Sequence, residues 1–250
     1  MMKERIPGLI ILLAVIISLA GLFKGKISDG AAVSVISLAA LLIMIRWAKN
    51  SLVSVKQLSL IAALTAAAAL GRVPFAAIPG VQPTSFLIIV IGFVFGPQAG
   101  FMTGAMSALV SNFLLGQGPW TPWQMLGWGL MGMFAGYVTR IKTLRVSWVL
   151  AVFAGLWGFI FGWIQNIGFA VLFIYPLTFK AYVSSCLLSA AFDSLHALTN
   201  FLLCLFLASP VIKILSDFHQ RLDYRYVQAD SEHHLAAMDC PQENDDKPGS

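Results

Sequence analysis

The chain has 250 residues, of which 58% are hydrophobic and 11% charged, with 16 basic against 11 acidic side chains. So little charge cannot cover the surface of a soluble domain of this length, which excludes an ordinary water-soluble protein and predicts an all-α integral membrane protein. Three cysteines, Cys186, Cys204 and Cys240, stand without CxxC spacing, and two fall in an apolar helix as small packing residues; neither a disulfide framework nor a metal site is expected.

Eight apolar segments lie near the roughly 20 residues that a helix needs to cross the hydrocarbon core. In chain order they are Pro7–Phe23, Ala31–Arg46, Lys56–Ile78, Ser85–Phe95, Gln98–Leu115, Thr121–Val138, Val146–Ile174 and Val183–Ala208. Lys3 and Arg5 ahead of the first imitate a signal peptide, but "SLAGLFKGK" is a weak cleavage site and a second apolar segment follows, so a retained span is expected. Gly96 and Pro97 leave almost no connection between the fourth and fifth segments, which predicts a tight or broken hairpin. Beyond Asp217 the chain turns polar and acidic. Residues 1–55 are thus read as two additional N-terminal spans, 56–215 as a six-helix membrane domain, and 216–250 as a disordered polar tail.

Orientation follows from the basic clusters. Arg46, Lys49 and Lys56 precede the third span, Arg140, Lys142 and Arg145 separate the sixth and seventh, and Lys213, Arg221 and Arg225 follow the last. With eight spans these fall on one side together with Lys3 and Arg5, which the positive-inside rule makes cytoplasmic, with both termini there. Lys24 and Lys26 dissent. The segments "GRVPFAAIPGVQPTS", "GQGPWTPWQ" and "YPLTFKAYVSS" then face outward, and a site open to the exterior is expected.

Arg72 is the one charge between Lys56 and Arg140. Such a residue snorkels to the headgroups or serves a site near membrane depth. Pro74, Pro79 and Pro83 stiffen its loop, and Gln82 and Thr84 carry groups that can donate or accept at a ligand edge. Next, Asn112, Gln117, Trp120, Trp123 and Gln124 surround a turn rich in Gly and Pro. Its indoles, with Trp128, form either an interfacial belt or aromatic walls beside amides, which suit a bulky organic ligand better than an ion. Asp193, the one acidic residue between Asp29 and Asp217, shares a helical face with His196 and Asn200, and Gln165 and Asn166 lie in the seventh span. These polar groups clamp the helices together or line a ligand site. The sequence supplies neither a recognisable nucleophile nor a metal set beside them, so no catalytic residue is nominated. Arg72 and Asp193 are expected to form an ion pair near the pocket floor, or to be bridged there by ligand or His196, which would offset part of the cost of burying each. In the third span, Ala62 and Ala66, with Ala63 and Ala67 beside them, repeat at the four-residue spacing that lets another helix approach closely. Gly100 with Gly104 and Gly132 with Gly136 repeat likewise and are read as internal packing.

Taken in order, "LSLIAALTAAAALGRVPFAAIPGVQPTS", "GFVFGPQAGFMTGAMSALVSNFLLGQGPWTPWQMLGWGLMGMFAGY" and "FDSLHALTNFLLCLF" resemble the substrate-binding S component of energy-coupling-factor (ECF) vitamin transporters. The resemblance spans Gln57 to Leu215. It implies a six-helix core, preceded here by two extra spans, that captures a vitamin at its outer face. A transmembrane coupling subunit and two ATPase subunits would then drive release inward. It also maps the family's AxxxA docking motif onto Ala62 and Ala66, or Ala63 and Ala67. Within the family the pattern is most similar to members assigned to cobalamin or related corrinoids. No cofactor is expected on this chain itself: it has no Walker-type loop, so ATP would be used by the partner ATPases. The bilayer is the remaining partner, and nothing points to nucleic acid. A proton-coupled secondary transporter of a small organic solute using Asp193 and His196 is the alternative.

Overall fold

The computed structural model describes residues 55–138 and 147–238, together with Val35 and Leu42. The expected spans Pro7–Phe23 and Ala31–Arg46, the basic segment holding Arg140, Lys142 and Arg145, and the last residues from 239 lie outside the described residues. Six α-helices stand among those described: α1 Val55–Leu70, α2 Pro83–Phe95, α3 Pro97–Leu115, α4 Thr121–Val138, α5 Ser147–Phe173 and α6 Phe179–Met238. Residues up to Ile212 form one unit and residues from Lys213 another, the latter described as helix through Met238.

Local chemistry sets most of the helix ends. The third segment was expected to run to Ile78, but α1 stops at Leu70 and a 3-10 turn at Val73–Phe75 follows. Pro74 lacks the N–H that a continuing helix requires, and Gly80, at φ +79°, reverses the chain in a conformation that side-chain-bearing residues avoid. Helix α2 then starts with Pro83 in its first turn, where the missing N–H costs nothing. The expected hairpin is tighter than any loop. Gly96 alone, at φ +89°, ends α2 and caps α3, and Pro97 opens α3. At the other end the last span was expected to close at Ala208 with an irregular tail after it. Instead α6 continues through Pro210 to Met238, so residues 216–238, read from their polarity as disordered, are helical.

Among the described residues, three segments are long and apolar enough to cross a membrane: Leu58–Phe75, Trp148–Phe173 and Phe179–Arg221. Large apolar side chains such as Trp163, Phe173, Leu187, Leu188 and Phe206 are exposed along α5 and α6. A bilayer, not water, is the solvent that such a surface matches.

The core is built on glycine. A Cβ on Gly92 of α2 or on Gly100 of α3 would overlap the Gly132 carbonyl of α4, and one on Gly132 would overlap the Gly100 carbonyl. Gly104 meets the Trp128 carbonyl in the same way, and Gly136 meets the Gly96–Pro97 linkage. Backbones in direct contact maximise dispersion between helices where lipid offers no hydrophobic drive. The four-residue glycine repeats therefore serve internal packing, as the sequence indicated. Helix α5 joins through Gly127, which abuts Phe161 and Gln165, and through Gly168, which abuts the Trp123 indole. Helix α6 joins α5 where Gly158 meets Ala197 and Gly162 meets the Asp193 carboxylate. Helix α1 buries Thr65, Ala68 and Ala69 and leaves Ala62, Ala63, Ala66 and Ala67 exposed.

Candidate ligand cleft and its polar supports

A cleft of about 280 Å³ lies where the end of α1, the α1–α2 loop and the end of α3 come together. Arg72, Phe75, Ile78, Gln82 and Leu115 line it, with Ala76, Pro79, Gly80 and Val81 completing the loop side. The loop holds this shape through successive backbone bonds, Phe75 N–H to Arg72 O, Ile78 N–H to Phe75 O and Val81 N–H to Ile78 O. Gly80 presses against the α6 backbone at Phe192 and His196, where any side chain would collide. Thr84 donates to the Ala68 carbonyl at 2.8 Å and so ties the start of α2 to the end of α1. Thr84 thus supports the loop from behind and does not line the cleft.

Arg72 is positioned from two sides. Its Nη1 donates to Ser111 Oγ at 2.8 Å and to Asn112 Oδ1 at 2.6 Å, while the guanidinium carbon lies 4.9 Å from the centroid of the Trp128 ring. Charge-assisted bonds together with a cation–π contact hold a cation without a counter-ion. Behind Asn112 the bonding continues. Its Nδ2 donates to Thr121 Oγ1 at 2.9 Å and Gln124 Oε1 at 2.8 Å, Thr121 donates to Gln117 Oε1 at 2.9 Å, and Gln117 Nε2 donates to the Leu109 carbonyl at 3.0 Å. The turn between α3 and α4 is thereby fixed to the group that orients Arg72.

The expected Arg72–Asp193 ion pair does not form. No acidic side chain pairs with Arg72 among the described residues, and the Asp193 carboxylate accepts from Ser189 Oγ at 2.8 Å, one turn back on its own helix. Asn166 donates to the same Ser189 hydroxyl at 2.7 Å, so Asn166, Ser189 and Asp193 join α5 to α6 as an interhelical clamp. His196 turns the other way. Its Nε2 is 2.8 Å from Ser85 Oγ, which also accepts the Trp128 indole N–H at 2.9 Å, and its ring meets Phe161 edge-on at 5.2 Å.

Of the residues nominated from sequence, the structure places Arg72 and Gln82 on the cleft wall. It places Asn112, Gln117 and Gln124 in the bonded support behind it. Trp123 is buried against Gly168, its carbonyl accepting from Gln165 Nε2 at 3.1 Å, and Trp120 is half-exposed and folded over Gly118. Asp193, His196 and Asn166 sit among α2, α5 and α6. Sequence reasoning missed Ser85, Ser111, Thr121 and Ser189, each of which supplies a hydroxyl to these bonds. Ser189 was findable, because it lies four residues before Asp193 and so on the same helical face. Ser111, beside Asn112, was also within reach of that reasoning, whereas nothing local marks Ser85 as the partner of residues 43 and 111 positions away.

The model of the family described as ECF-type riboflavin transporter, S component, matches residues 49–216. Two UPF0397 proteins of Aliivibrio fischeri, from strains MJ11 and ES114, are each 25% identical to the chain over 162 residues, covering 59% of this chain and 87% of the relative. No solved structure matches it. S components are membrane-embedded substrate-capture subunits that work with an ECF transmembrane and ATPase module, and they are not enzymes. With a match running from residue 49 to residue 216, through every element that builds the cleft, the chain belongs to the ECF-type riboflavin transporter S component family.

Proposed function

We propose that this S component captures riboflavin or a closely similar flat vitamin in the cleft beneath the α1–α2 loop. The observation that carries the reading is the cleft itself. Phe75, Ile78, Val81 and Leu115 give it apolar surface beside exposed polar groups, its one charged group is the pre-positioned Arg72, and its roof is a proline-stiffened loop. Apolar walls with a few fixed polar groups are the usual anatomy of a small-molecule site. The family match adds the vitamin class. The family model names riboflavin and lends no support to the cobalamin assignment drawn from sequence. The family match favours capture for an ATP-driven module over proton coupling through Asp193 and His196, whose hydrogen bonds run to Ser189 and Ser85.

The sequence between α4 and α5 carries Arg140, Lys142 and Arg145, and the positive-inside rule makes that connection cytoplasmic; counting spans along the sequence then turns the α1–α2 loop outward and both termini toward the cytoplasm. The exposed alanine face of α1, Ala62, Ala63, Ala66 and Ala67, is then the docking surface for the coupling subunit, with ATP hydrolysis left to the two ATPase subunits. Isothermal titration of the purified full chain decides the substrate. Riboflavin should bind and lose its fluorescence on binding, and cobalamin should give no heat. Binding of cobalamin without riboflavin would overturn the assignment.

A further inference from the structure

Two groups on the cleft wall have unused hydrogen-bonding capacity, and together they describe the edge of a ligand. Arg72 spends only Nη1 on protein partners, Ser111 and Asn112. Its Nη2 and Nε make no hydrogen bond to described residues. Gln82 stands at the start of α2 without capping it, and its Oε1 is shut away from solvent with no partner. An unpaired buried acceptor costs about 1–3 kcal/mol, a cost that a ligand N–H removes. Both residues line the same cleft, and no carboxylate lines it with them. One wall therefore carries a guanidinium with unspent nitrogens and a carboxamide whose oxygen lacks a partner, while Phe75, Ile78, Val81 and Leu115 add apolar surface.

We propose that Arg72 and Gln82 read a cyclic imide edge, the O=C–NH–C=O face found on the pyrimidinedione ring of flavins. Arg72 donates to one carbonyl, and Gln82 accepts from the imide N–H and donates to a carbonyl. This deepens the riboflavin reading and rests on it for the identity of the vitamin, while the edge recognition is a claim about chemistry alone. An imide is neutral and presents acceptor, donor and acceptor in one line, which matches a donor fork beside an amide better than it matches an amine or a sugar. A carboxylate or phosphate would engage Arg72 yet leave the Gln82 acceptor unfilled.

Methylation at N3 removes the ligand donor without changing the protein, so it is the decisive probe. Riboflavin and N3-methylriboflavin, and in parallel uridine and N3-methyluridine at high concentration, are titrated into the wild-type chain, Gln82→Leu and Arg72→Lys. In the wild type, N3-methylation should weaken binding by about ten- to hundredfold, the loss expected for a buried hydrogen bond. Gln82→Leu should weaken the parent ligand similarly and erase the difference between parent and methylated forms. It should leave the fold intact, because the Gln82 side chain holds nothing in the protein. Arg72→Lys keeps the charge but loses the fork, so it should weaken the parent ligand while preserving the methylation penalty. Equal affinity for parent and N3-methyl forms in the wild type overturns the proposal. So does flavin mononucleotide binding tenfold tighter than riboflavin and losing that advantage in Arg72→Gln, since Arg72 then reads an anion. If neither riboflavin nor uridine binds, the edge assignment falls. If uridine binds with the methylation penalty and riboflavin does not, the edge stands and the riboflavin reading falls.

Discussion

At the scale of single residues, the arrangement separates two charges that burial alone would have joined. Arg72 answers to Ser111, Asn112 and the Trp128 ring, and Asp193 answers to Ser189 and, through it, Asn166. The two sets share no member. Groups without shared partners contribute independently, so Arg72→Gln and Asp193→Asn should add within about 0.5 kcal/mol in a double-mutant cycle on thermal stability. A coupling well above that limit would show that the two charges act as one unit. The same separation shapes what each loss does. Arg72→Gln removes a cleft donor and the bonds to Ser111 and Asn112, so it should depress ligand affinity and lower the melting temperature together. Asp193→Asn alters a clamp between α5 and α6 and should act mainly on stability, by the roughly 0.6–2 kcal/mol that interhelical hydrogen bonds in membranes carry.

At the scale of helices, α2, α3 and α4 meet backbone to backbone at their glycines, with side-chain bonds such as Trp128–Ser85 and Asn112–Thr121 added beside those contacts. Gly132 is the sharpest case, since a Cβ there has nowhere to go except into the Gly100 carbonyl. Gly132→Ala should therefore destabilise the bundle by about 1–3 kcal/mol, as overpacking does. Gly155→Ala should cost little, because the nearest atom to its Cβ would lie at an ordinary 3.5 Å. Equal melting temperatures for the two variants would contradict the packing described here. These helices were largely legible in the sequence. Thr121–Val138 was drawn with both ends as observed, and the Gly96–Pro97 hairpin followed from residue types alone. Misplaced ends had local causes: Pro74 overrode the apolar pattern that carried the expected α1 to Ile78, and polarity past Asp217 concealed a helix that continues to Met238. The cleft was half legible. Arg72 and Gln82 stood out because charge and amide are rare in apolar surroundings, but the partners of Arg72 and His196 are set by which helices adjoin, and no local pattern encodes that.

At the scale of the whole molecule, a capture subunit has to offer one surface to its ligand and a different one to its machinery. The cleft is built from the end of α1 and its loop, whereas the exposed alanines lie on the α1 shaft, away from its buried Thr65, Ala68 and Ala69. A bulky residue on that shaft should therefore block assembly without touching the cleft. Ala66→Trp should bind riboflavin with wild-type affinity, fail to co-purify with the coupling subunit and support no uptake in vesicles. An undiminished complex with Ala66→Trp would remove this face as the docking surface. The glycine contacts carry a further consequence, one of kinematics. Three helices whose backbones touch at Gly92, Gly100 and Gly132, two of them linked by Gly96 alone, and which are cross-bonded by Trp128–Ser85 and Asn112–Thr121, have little room to slide or shear, so α2, α3 and α4 should behave as one link in the mechanical sense. Whatever displacement accompanies loading and unloading is then shared among α1, α5, α6 and the α1–α2 loop, pivoting on that fixed frame.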